Sequence, residues 1–160
     1  MKFKRYLESE RIYFRNLQDS DIDKGYFEWL NDPEVSQYLE TRYSIQTREM
    51  IKEFISNQSG NKNSHLFAIC LKDNDLHIGN IKLGPIEFIH GRGDLSYLIG
   101  RKELWGKGYA SEAVKLILGF AKKVLNLYKV DASVYEDNIG SYKVLLNNGF
   151  KKQGKLKNHW

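Results

Sequence analysis

Glu103-Leu-Trp-Gly-Lys-Gly-Tyr-Ala-Ser-Glu-Ala-Val114 decides how the chain is read. The strand-like run Asp94–Gly100 leads into it. Behind it, Ala110, Val114, Ile117, Leu118, Ala121, Val124 and Leu125 form one apolar stripe at helical period. The segment is therefore a strand, a short loop and a long helix, with Gly106 and Gly108 at the junction. A helix N-terminus offers free backbone N–H groups and a positive dipole end. Glycines let a ligand approach that backbone closely, and Lys107 adds charge, so the junction suits a phosphate. Two familiar nucleotide patterns fail here. A P-loop needs Ser or Thr after Gly106-Lys107, where Gly108 stands, and the dinucleotide fingerprint needs a third glycine where Ser111 stands.

The rest of the chain extends this unit in both directions. Arg11–Leu17 is short, aromatic and β-prone and reads as a first strand. Asp19-Ser-Asp-Ile-Asp starts a helix to about Leu30, which Asn31-Asp32-Pro33 breaks. Thr47 caps a second helix through Phe54 and Ile55. His65–Leu71 and Leu76–Leu83 form a hairpin about Asp73-Asn74-Asp75. After the long helix, Lys129–Tyr135 alternates as a strand, Asn138–Asn148 is a shorter helix stopped by Gly149, and Phe150 begins a last strand reaching Trp160. The expected class is α+β (mixed α/β). It is one domain over residues 1–160, with no repeat and no linker.

Composition narrows the function. The 160 residues suffice for one core. No apolar run approaches the roughly 20 residues of a membrane helix, and Met1–Tyr6 lacks the apolar stretch of a signal peptide. Cys70 is the single cysteine, so the chain has no internal disulfide; a cytoplasmic location is expected. Cys70 reads as a buried thiol. His65, His77, His90 and His159 have no ligand spacing, and no metal is expected. Residues 1–80 hold 11 Lys+Arg and 13 Asp+Glu, and residues 81–160 hold 14 and 7. The basic second half suits a polyanionic partner, either a phosphorylated cofactor or nucleic acid, or is a solvated surface.

The loop, with Asn138-Ile-Gly-Ser141 and Asn148-Gly149-Phe150 downstream, closely resembles the GNAT superfamily of N-acetyltransferases. It looks most like the branch that holds the ribosomal-protein N-terminal and sugar-amine acetyltransferases, over residues from about 10 to 158. The resemblance implies a mostly antiparallel twisted sheet of six to seven strands, flanked by four helices. It places the pyrophosphate loop between the fourth strand and the long helix. It implies acetyl-CoA as co-substrate, with Trp105, Gly106, Lys107, Gly108, Tyr109, Ala110 and Ser111 around the pyrophosphate. The preceding strand would pair with the pantetheine at Leu98 and Ile99. A backbone N–H at a bulge there would meet the oxyanion. Asn138 would bond the pantetheine and Lys143 would reach the adenosine phosphates. The plain alternatives are a helix cap for Asn138 and an exposed helix lysine for Lys143.

Acetyl transfer needs a base for the amine, donors for the oxyanion and a proton or hydrogen bond for the departing thiolate. Many relatives carry a tyrosine acid seven residues after the Asn; Leu145 stands there, and Tyr142 does not inherit the role. The resemblance then points to Ser141 beside the sulfur and to Asp94 as base, directly or through water. Ordinary helix-start chemistry and a strand-edge charge are the bland readings of this pair.

The acceptor side of such proteins is built from the first helices, here Tyr26 to Tyr43. Tyr38 and Tyr43 offer stacking faces and Arg42 a clamp for phosphate or carboxylate, while Trp29 reads as core. The expected acceptor is a small amine, in particular a nucleotide-linked amino sugar, with a peptide or ribosomal-protein N-terminus as rival. Two further rivals are an acetyl-CoA-binding pseudoenzyme and a basic nucleic-acid-binding domain. The lysines at 122, 123, 151, 152, 155 and 157 lack interleaved aromatics, which disfavours the last. Relatives continue past the Phe150 strand; a final strand left incomplete would expose a sheet edge and invite a homodimer.

Overall fold

Strand alternation sorts the core into two layers. Ile12 and Phe14 point to one face of the sheet and Tyr13 and Arg15 to the other, all buried. A computed structural model describes residues 5–157, so His159 and the chain's end at Trp160 lie outside it. The sheet has six strands in sequence order: β1 (Leu7–Glu8), β2 (Ile12–Asn16), β3 (His65–Leu71), β4 (His77–Glu87), β5 (Arg92–Ile99) and β6 (Lys129–Asp131). The first four junctions are antiparallel, and β5 pairs with β6 in parallel. One face packs against α5 (Tyr109–Lys123) and α6 (Ile139–Asn147), through Val114, Ile117 and Leu145. The other face is covered by α1 (Asp19–Asp21), a π turn at Ile22–Tyr26, α2 (Phe27–Asn31), α3 (Pro33–Ser36) and α4 (Arg48–Gln58), through Trp29, Ile51 and Ile55.

Local chemistry explains the helix boundaries. Asp32 has extended backbone and its carboxylate accepts from the amides of Glu34 and Val35, so α2 stops and α3 starts at Asn31-Asp32-Pro33 as expected. The Thr47 hydroxyl accepts from Met50 N and caps α4. Gly149, at φ 84°, closes α6 in the left-handed region. The single helix expected from Asp19 to Leu30 is instead broken. Gly25, at φ 133°, turns the chain inside it, and a Cβ there would press on the Trp29 indole.

Two expected strands differ. Lys129–Tyr135 keeps only three ladder residues. Val130, Ala132 and Val134 do pack against the core, so their alternation records burial without pairing beyond Asp131. Residues 150–157 form no strand. Phe150 packs on the core, but Lys151 to Lys157 are exposed and Lys155 pairs with Glu136. The two-residue strand β1 was not foreseen.

Beneath β2 lies a buried ion pair. Arg15 Nη1 and Nη2 donate to Asp21 Oδ2 and Oδ1 at 2.7 and 2.8 Å, and Gln18 N donates to Asp21 at 2.9 Å. Burial works to raise the Asp21 pKa, yet the Arg15 bonds hold it below the ordinary carboxylate range. His77 Nδ1 is 3.7 Å from Asp21, while Nε2 lies 2.8 Å from Asn80 Oδ1 and 2.9 Å from Gly79 O, so Nε2 carries the proton. Burial lowers the His77 pKa. Cys70 is fully buried and its thiol is pushed up to about 11 by burial, which fits the inert reading.

Asp21→Asn leaves Arg15 buried without its counterion. Denaturant unfolding is expected to show a loss of about 3–5 kcal/mol. The depressed Asp21 pKa makes its contribution complete above the unfolded value near 4 and lost as pH falls through the folded value. Acid titration of wild type should show that loss, and the Asn variant should lack it.

Candidate active site

The strand–loop–helix unit is built as the sequence suggests. Gly106 and Gly108 hold φ of 73° and 83°, and Gly108 is the N-cap of α5. No side chain caps that end, so the first-turn amides remain free for an anion. A Cβ at Gly106 would meet nothing within 4 Å, so the loop faces open space. Trp105, Lys107 and Gly108 are exposed, and Tyr109, Ala110 and Ser111 half-buried.

The loop is held from behind. Arg11 Nη1 donates to Lys107 O at 3.0 Å and its Nε to Glu112 at 2.7 Å, while its guanidinium lies 4.3 Å from the Tyr109 ring. Glu112, in the first turn of α5, also accepts from Arg11 N and Ser9 Oγ. Burial pushes the Glu112 pKa up, but these donors bring it below the ordinary range. Arg11 thus neutralises a carboxylate that would otherwise oppose an anion at the same helix end. Sequence reading missed this contact, because the partners are 101 positions apart.

β6 leaves the sheet early. β5 pairs with it only at Arg92, Gly93 and Asp94, so among the described residues Leu95–Ile99 have no strand on that side. Gly100 N donates to Ile78 O, and antiparallel alternation then turns Leu98 towards Asn80 and turns the amides and carbonyls of Tyr97 and Ile99 outward. Trp105 Nε1 donates to Ile99 O at 2.8 Å. The outward backbone groups are therefore Tyr97 N–H and C=O and Ile99 N–H. This corrects the expectation for Leu98, whose backbone belongs to β4. The bulge expected at Leu98–Ile99 is also absent: the register is even there and shifts at Leu83/Ile86 instead.

Across the split stands α6. Asn138 Oδ1 caps it at Ser141 N, 3.1 Å away, leaving the amide nitrogen with no described acceptor. Tyr97 Oη lies 2.6 Å from Ser141 Oγ. Lys143 is exposed on the same helix, and Leu145 is core at 5% exposure. Asp94 sits beside Asp131 at the closed end of the split, and alternation puts it on the face opposite Tyr97. The structure therefore does not bring Asp94 and Ser141 together. Asp131 is held by Lys129 at 3.1 Å and Arg92 at 3.9 Å.

The residues expected on the acceptor side gather against the chain that follows β6. The Arg42 guanidinium lies 4.6 Å from both the Tyr43 and Tyr135 rings and donates to Gln37 O and Tyr43 Oη at 2.6 and 2.5 Å. Tyr38 Oη donates to Asp137 O at 3.0 Å, and Tyr135 Oη donates to Glu40. Arg42 is thus engaged internally, where a free clamp was expected. A groove of about 540 Å³ runs beside it, lined by neutral polar groups such as Asn31, Ser36, Gln37 and Ser44, by Tyr43 and by Arg42. No residue of β5 or α6 lines it. Among the described residues, no cluster of His, Cys, Asp and Glu could hold a metal, and no helix is long and apolar enough to cross a membrane.

Residues 11–151 match the family model of the acetyltransferase (GNAT) domain. The chain belongs to the GNAT acetyltransferase family. An uncharacterized N-acetyltransferase, p20 of Bacillus licheniformis, is 34% identical over 96% of this chain and 86% of its own length. A GNAT acetyltransferase from Bacillus anthracis superposes at TM-score 0.80 with 24% identity, over 92% of this chain and 84% of that one. The spermidine N-acetyltransferase of Vibrio cholerae, solved with CoA and spermine, superposes at 0.81 with 22% identity, over 91% and 83%. The chain is an N-acetyltransferase of mixed α+β fold.

In this acetyltransferase, Arg11→Ala removes the counterion of Glu112. Denaturant unfolding is expected to show a loss of about 1–2 kcal/mol, and combining it with Glu112→Gln should restore most of that loss.

Proposed function

We propose that this acetyltransferase uses acetyl-CoA and passes its acetyl group directly to the primary amine of a small acceptor, in particular a nucleotide-linked amino sugar. The carrying observation is the β5–β6 split beside the uncapped end of α5. The split offers an extended arm the backbone groups of Tyr97 and Ile99, and the loop from Trp105 to Ser111 offers a pyrophosphate its amides. Lys107 and Lys143 supply charge. Asn138 would donate to the arm through its free amide nitrogen. Ser141 would meet the sulfur, and Asp94 would take the amine proton through water, since it stands at the closed end of the split.

The acceptor reading rests on the groove beside Arg42. Its lining contributes hydrogen-bonding groups, an exposed aromatic face and one cation, and no carboxylate. That chemistry suits a hydroxylated ring better than a polycation. The engaged guanidinium keeps its charge, which suits an anionic substituent.

Isothermal calorimetry is expected to show acetyl-CoA binding, weakened at least about tenfold by Gly108→Val, because a branched residue strains at φ 83° and its side chain crowds Arg11 Nη2, 3.4 Å from where its Cβ would stand, so that the loop backbone must shift. An assay of CoA release with glucosamine, a nucleotide-linked amino sugar, spermidine and a serine-starting peptide addresses the acceptor. Turnover confined to spermidine or the peptide removes the sugar reading, and no acetyl-CoA binding removes the whole assignment.

A further inference from the structure

Tyr97 is the one phenol that β5 sends across the split to α6. Its side chain is packed against the core beneath α5, and its Oη lies 2.6 Å from Ser141 Oγ and 3.2 Å from Ser141 O. A hydroxyl has one proton to give. The 2.6 Å contact is a short O–H···O bond, whereas 3.2 Å exceeds the usual range for a hydroxyl donor. Either hydroxyl can donate across that contact; the phenol is the more acidic of the two, and with it as donor the serine's own proton is left to point elsewhere. Burial raises the phenol's pKa while the Ser141 bond opposes it, and the group remains a protonated donor. The backbone of Ser141 is held in place, its amide by Asn138 Oδ1 and its carbonyl beside the same phenol. One turn further on, α6 presents Leu145, which is core.

We propose that Tyr97 is a positioning residue for Ser141. Its phenol occupies one lone pair of Ser141 Oγ and so directs the serine proton towards the open edge of β5, where it donates to the sulfur of CoA. This rests on the reading above that Ser141 meets the sulfur. The role involves no proton transfer from Tyr97: the phenol keeps its proton and polarises the serine.

The probe is CoA itself, whose bound thiolate is titrated by its ultraviolet absorbance without any acceptor. Wild type is expected to hold the bound thiol below its free pKa. Tyr97→Phe, which keeps the ring, should raise that value by about half a unit to one unit, a three- to tenfold change in the ionisation constant. Ser141→Ala should raise it at least as far, and the double variant no further than Ser141→Ala. CoA affinity below the thiol pKa should stay within about twofold of wild type in Tyr97→Phe. Should Tyr97→Phe fold poorly, fluorotyrosine at position 97 strengthens the donor and should shift the thiol downward. A thiol unmoved by Tyr97→Phe but raised by Ser141→Ala overturns the positioning role, as does strict additivity in the double variant. A thiol unmoved by Ser141→Ala with CoA bound overturns it differently, by removing Ser141 from the sulfur. Absence of CoA binding places the failure in the cofactor reading instead.

Discussion

The parallel ladder between β5 and β6 is three residues long, and the site depends on that brevity. A strand with one unpaired side normally invites association or must be covered. Here the unpaired stretch is short and ends where Trp105 Nε1 donates to the carbonyl of Ile99. The same divergence gives Tyr97 its reach to α6 and sends the chain after Asp131 towards Tyr38 and Arg42. Had β6 continued in register, its backbone would have satisfied Tyr97 and Ile99 and the cleft would not exist.

The two faces of the sheet solve different problems. The α5 face is apolar and uniform, which holds the long helix and its uncapped end still. The other face buries Arg15, Asp21, His77 and Asn80 beneath short helical pieces. Such pieces are too short to be stable alone. The Arg15–Asp21 fork ties the first of them to β2, and Trp29, seated on Gly100 and edge-on to His77, ties the second to the end of β5. The ion pair thus fixes this helical layer in register with the strand that carries the split.

Much of this was legible in the sequence where one local signal determines one structure. Helical period, two glycines at the junction and the Asn138 and Gly149 punctuation placed α5, its loop and α6 correctly, because capping and positive φ are local demands. Distant contacts were not legible. Arg11 with Glu112, and Tyr97 with Ser141, are joined only by the fold. Val130, Ala132 and Val134 misled because alternating burial and ladder pairing leave the same pattern. The engagement of Arg42 was not legible either, because the Tyr135 ring that shares its charge is distant in sequence though adjacent in space.

The bridge from Tyr38, Glu40 and Arg42 to Tyr135 and Asp137 makes the two walls of the cleft one mechanical body. Asp137 directly precedes Asn138, the cap of α6. A push on the acceptor-side segment is therefore transmitted through three residues of backbone to the turn that carries Ser141. The Tyr38–Arg42 segment and the start of α6 are in this way a single lever, joined at Tyr135 and Asp137.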